Sequence, residues 1–304
     1  MEDMPMKYSV RPMLSWMVIA SFVVCTSIAA AASERRVDEK CKASPDGVVE
    51  ISNAAGSVRV IGWDREEVTV TGTVPENAKL DFEGGEKRTT VKVNLPKLGL
   101  GAREADLEVH VPSASRLEAE TVSATLDVTG VRGVLELKSV SGNVAAAGDP
   151  EDVEARTVSG KLEISVSSRH VEAEAVSGEI RLQGAAGKVR VSNVSGSSII
   201  SADNLKDGSL ESVSGNIRFE GIIDPAGRLD VQTVSGDIEA LMPAGIAAVF
   251  EVSTFSGGIQ NDFGQALAKT EKNGPGKELK FTTGSGAARI SLQSFSGDVI
   301  LKKK

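Results

Sequence analysis

The stretch VLELKSVSGNVAAAGDPE, residues 134–151, decides the fold, because the chain goes on to repeat it: DVEARTVSGKLEISVSSR fills 152–169 and HVEAEAVSGEIRLQGAAG fills 170–187. Working outward, valine or phenylalanine followed by serine and then glycine or alanine recurs at Val122, Val140, Val158, Val176, Val194, Val213, Val234, Phe255 and Phe295, with spacings of 18, 18, 18, 18, 19, 21, 21 and 40. Self-similarity at such a period marks a solenoid or array. Counted from each valine, the positions five and three before it and four and six after it are nearly always apolar, as in Leu135 with Leu137 and Leu162 with Ile164. A spacing of two turns one face of a strand inward.

Each coil therefore holds two short strands, joined at one corner by Ser-Gly and at the other by turn-rich pieces such as Gly148-Asp149-Pro150. Paired helices fail on the apolar spacing of two, on the β-branched residues and on the glycine in every motif. An antiparallel meander is the stronger competitor, but a constant coil length with identical positions favours coils layered in register. The fold class read from the sequence is an all-β, β-helix-like solenoid with two-strand coils of 18–21 residues, about a dozen coils and on the order of 60 Å long at the usual strand spacing.

The domain reading is a secretory signal at 1–32, a polar linker at 33–46 and the solenoid at 47–304. Lys7 and Arg11, the apolar run Met13 to Ile28 and the alanines at 29–32 carry the signal. The run is too short to span a bilayer, so no membrane span remains after cleavage. Val24 before Cys25 argues against lipidation, and an exported protein is expected, either periplasmic or released outside the cell. Cys41 is then the one mature cysteine and reads as an inert tail residue, ahead of an exposed free thiol or a bridge between chains. Val49, Ile51, Val58 and Val60 frame a first, degenerate coil, and 63–112 departs from the frame as a larger layer or cap over an open strand edge. Residues 268–280, with Asn273-Gly274-Pro275-Gly276, read as an inserted loop.

A formal net charge of −8 and the lack of a basic patch exclude nucleic acid as a partner. The serines of the motif are too many and too alike for nucleophiles, with only His110 and His170 to serve as bases. Their expected role is structural: the hydroxyl satisfies a turn amide, and the glycine takes a backbone angle that other residues resist. No zinc, calcium or nucleotide motif occurs, so no catalytic residue, metal site or cofactor is expected.

Glu118, Glu136, Glu154 and Glu172 occupy one outward position in successive coils, where stacking sets like charges about 5 Å apart. Lys138 and Arg156 can offset them. The row reads either as a solvated face that discourages aggregation or as a stripe for cations or a basic partner.

The repeated V-S-G-x-[VIL]-x-[VIL], the early G-x-V-x-V rung before Trp63 and the closing Phe295-Ser296-Gly297-Asp298-Val299 resemble the bacterial putative-adhesin family, envelope proteins built on a domain of unknown function. The likeness covers about 47–304. It implies a β-solenoid outside the cytoplasm, adhesion by shape, and no catalytic residues. The expected function is a noncatalytic envelope scaffold that binds an envelope protein or glycan through its faces. The alternatives are a polysaccharide-binding or polysaccharide-cleaving β-helix protein and a solenoid that self-associates end to end.

Overall fold

The computed structural model describes residues 34–95, 104–264 and 276–304. The signal at 1–32 and most of the loop expected at 268–280 lie outside them. The described residues form 23 strands and no helix.

The repeat folds as a parallel β-solenoid in which each rung pairs, position for position, with the next. In the Val140 rung, Val134–Ser139 runs along the front sheet and Val144–Gly148 along the back. Leu135 lies beside Leu117 and Val153, and Val144 beside Leu126 and Leu162. The four apolar positions of the frame point between the sheets and are buried there in unbroken columns. Removing such a side chain from water contributes about 1.5–3 kcal/mol, so the columns carry the stability that a disulfide supplies in many small exported domains.

Two hydroxyl rows build the corners, and their division of labour differs from the sequence expectation. The motif serine does not satisfy the turn amide: Ser141 and Ser159 donate instead to the carbonyls of Val122 and Val140 one rung back, at 3.1 and 3.4 Å. The amide is met by the buried residue just before the valine. Gly142 N–H donates to Ser139 Oγ at 2.9 Å, and Gly160 N–H to Thr157 Oγ1 at 3.0 Å. The glycine is also required for a different reason than expected. Among the glycines that follow the motif serine only Gly196 has a positive φ, of 126°. At the others a Cβ would collide with the carbonyl of the previous corner, 2.0 Å away at Gly160.

The rungs do not stack in chain order at either end. After the Val234 rung the chain skips a place and lays down Ala248–Ser256 and Ile259–Asn261. It then returns, and Ala288–Ser296 with Val299–Lys303 fills the gap between them. At the other end, Arg88–Asn94 and Ala105–Pro112 form the outermost rung, while the earlier Val48–Asn53 and Gly56–Trp63 lie one place further in. Eleven rungs result among the described residues.

Antiparallel strands finish the front sheet at both ends: Lys79–Glu83 beside Arg88–Asn94, and Lys277–Thr282 beside Ala248–Ser256. Lys277–Thr282 therefore corrects part of the expected loop, which ends by residue 276. Glu67–Pro75 and then Glu34–Lys42 extend the back sheet in the same antiparallel manner.

The strand Glu34–Lys42 overturns the expected polar linker at 33–46. Its sequence ERRVDEKCK buries only Val37, but an edge strand needs only one partner's backbone and one inward residue. Cys41 belongs to that strand, half-buried, with its thiol 3.6 Å from Thr89 Oγ1. It is a packed residue rather than a tail residue.

Candidate functional site

The alternation that buries the frame forces the motif residue itself outward, since it lies an odd number of positions from both apolar residues of the pair before it. Val122, Val140, Val158, Val176, Val194, Val213, Val234, Phe295 and Phe255, in spatial order, are each between 45% and 57% exposed. They form one apolar ridge along the front corner of the solenoid. At its end the rings of Phe295 and Phe255 stack 4.9 Å apart and nearly parallel. Among the described residues Ile222 is the one other large apolar side chain as exposed, and it belongs to no such line, so the ridge is the repeat's systematic exception.

Beside the ridge runs the outward row two positions earlier. Over the first four of these rungs it is charged: Glu120, Lys138, Arg156 and Glu174 lie next to one another. Over the last five it reads Ser192, Glu211, Gln232, Gln293 and Ser253, with one carboxylate among neutral polar groups. This second half is concave. A groove of about 610 Å³ follows it, walled at its far end by Gly276, Lys277 and Glu278.

The structure places Glu118, Glu136, Glu154 and Glu172 in one line, continued by Glu50 at one end and interrupted by Arg190 at the other. Each faces an arginine. Arg116 bonds Glu118 at 3.0 Å and also contacts Glu136, while Arg88 reaches Glu50 and approaches Glu118 at 3.9 Å. Arg156 contacts Glu154 at 2.7 Å, Glu174 at 2.9 Å and Glu172 at 3.7 Å. Burial works against the Arg156 charge, but Glu174, Glu154 and Glu172 outweigh it and hold its pKa above the ordinary value. A partner cation would have to displace these guanidinium groups. Among the described residues no group of three His, Cys, Asp or Glu side chains is placed to hold a metal ion.

Other surface carboxylates are depressed by hydrogen bonds, Glu163 from Lys161 and Glu220 from Lys304. Such groups bind fewer protons folded than unfolded, so their contribution is present above the unfolded carboxylate pKa and is lost as pH falls through the lower folded value. Thermal melts should therefore be flat from about pH 7 to 5 and shift downward below about pH 4. A melting temperature that rises on acidification contradicts this assignment.

The family model described as Toastrack DUF4097 matches residues 49–302. None of the curated proteins compared matches the chain. Among solved structures, the chain is similar to a putative adhesin from Parabacteroides merdae ATCC 43184, at 14% identity and TM-score 0.41 over 68% of this chain and 96% of that one. It is also similar to a putative adhesin from Parabacteroides distasonis ATCC 8503, at 10% identity and TM-score 0.41 over 90% and 99%. A putative lipid binding protein from the same organism aligns at 13% identity and TM-score 0.33 over 89% and 97%. No residue's role is carried over from these structures.

Proposed function

Since the chain belongs to the Toastrack DUF4097 family, whose name specifies no reaction, we propose that it is a noncatalytic binding scaffold of the cell envelope that works through the ridge from Val122 to Phe255. One observation carries this reading: nine half-exposed apolar side chains stand in a single line on a surface otherwise rich in paired charges. Contiguous apolar surface with a polar rim is the usual mark of an interaction site. A rigid stack presents that line at a fixed interval, which suits an elongated partner.

End-to-end self-assembly is disfavoured by the front sheet's edges. Both are antiparallel strands, KLDFE and KELKFT, rich in charge, and charged edges resist pairing with another chain.

The test combines Val176→Ser, Val194→Ser and Val213→Ser and measures co-sedimentation of the purified chain with isolated cell envelopes. Retention should fall at least tenfold. The melting transition should stay cooperative, because each side chain is half in water already and surface changes of this kind usually cost about 0.5 kcal/mol or less. Unchanged retention by a folded triple variant would remove the ridge from the function.

A further inference from the structure

Resting on that reading of the ridge as a binding surface, we propose that its second half, the groove along Val194, Val213, Val234, Phe295 and Phe255, binds an uncharged β-linked polysaccharide lying along the solenoid axis, about one sugar ring per rung.

Charge selects the ligand class first. Along the first half of the ridge the neighbouring row carries two acids and two bases, and Arg156 and Lys138 are engaged with carboxylates there. Along the groove the row becomes Ser192, Gln232, Gln293 and Ser253 with Glu211 as its one charge, and the other charged groups of the lining, Lys277 and Glu278, are of opposite sign and stand together at the far end. Amides and hydroxyls both donate and accept hydrogen bonds, which is what sugar hydroxyls require. They offer nothing specific to a carboxylate or phosphate.

Spacing selects within that class. Equivalent side chains recur about every 4.8 Å along the axis. An extended peptide presents same-side residues about every 6.7 Å and cannot stay in step. A helix is about 10 Å wide, too broad for a track one side chain across. An extended β-linked hexose chain advances by close to one rung per ring, so each ring meets the same pair of side chains: an apolar one against its C–H face and a polar one beside its hydroxyls. Five rungs give a track of about 20 Å.

A second copy of the chain fits less well. The ridge is one side chain wide, and a strip about 40 Å by 10 Å would bury about 800 Å² over both partners, short of the roughly 1,200 Å² at which stable interfaces begin.

The experiment titrates the full chain calorimetrically with uncharged β-linked oligosaccharides of two to six residues, built on glucose, mannose or xylose, and with hexagalacturonate as the charged control. At least one uncharged hexaose should bind, its disaccharide at least tenfold more weakly, and hexagalacturonate at least tenfold more weakly than the hexaose. Gln232→Ala with Gln293→Ala should weaken hexaose binding at least tenfold, while Lys138→Ala on the charged half leaves it unchanged. Failure of every uncharged hexaose to bind, equal binding of hexagalacturonate, independence of length, or indifference to the glutamine pair would each overturn the proposal. If envelope retention still depends on the ridge valines when no oligosaccharide binds, the scaffold reading stands and the polysaccharide falls; if both are lost, the ridge itself is not the site.

Discussion

Gly160→Ala is expected to lower the unfolding free energy by about 3 kcal/mol or more, near the upper end of what forced overpacking costs. The added methyl would stand 2.0 Å from the Gly142 carbonyl oxygen, a backbone atom that cannot swing aside. Backing the corner away would break in-register pairing on both sides, because Gly178 rests on Gly160 as Gly160 rests on Gly142. Gly245→Ala is the matched control: it has open space around it and no positive φ, so a change within about 0.5 kcal/mol is expected. Urea denaturation of the two variants decides the matter. Similar midpoints would mean that the corners do not stack as tightly as described.

The second large effect belongs to the interior. Phe219 is completely buried in its column between Ile200 and Ala240. Its truncation to alanine leaves a void that Ala240 has no atoms to fill, and phenylalanine-to-alanine changes in cores cost about 3–5 kcal/mol. Phe255→Ala, on the ridge and half in water, should cost much less. The pair separates interior from surface aromatics on the same scaffold, with the denaturation midpoint as readout. Equal losses would contradict the assignment of faces.

The columns were legible because alternation is a property of the backbone: once Leu135 and Leu137 face inward, Val144 and Ala146 follow from the repeat. The ridge was legible by the same parity, since Val140 stands an odd number of steps from Leu135, but the frame draws attention to what is buried. The out-of-order terminal rungs could not be read, because every rung offers its neighbour the same hydrogen-bond pattern and the same apolar positions. Glu34–Lys42 hid for a related reason: a strand that buries one valine has almost no periodic signal. The glutamate row was visible as a row, whereas the arginines that engage it come from other positions of the frame, which only the geometry brings together. The groove depends on which rungs neighbour the Val234 rung, and so on the same hidden order.

That order gives the last segment a keystone's part in assembly. Until Ala288–Lys303 slides in, the two rungs on either side of it have no parallel neighbour to share, and the ridge is split with Phe255 stranded from Val234. A chain emerging from its amino terminus thus completes its longest uninterrupted surface only when Ala288–Ser296 arrives, after the rung beyond it has already been made.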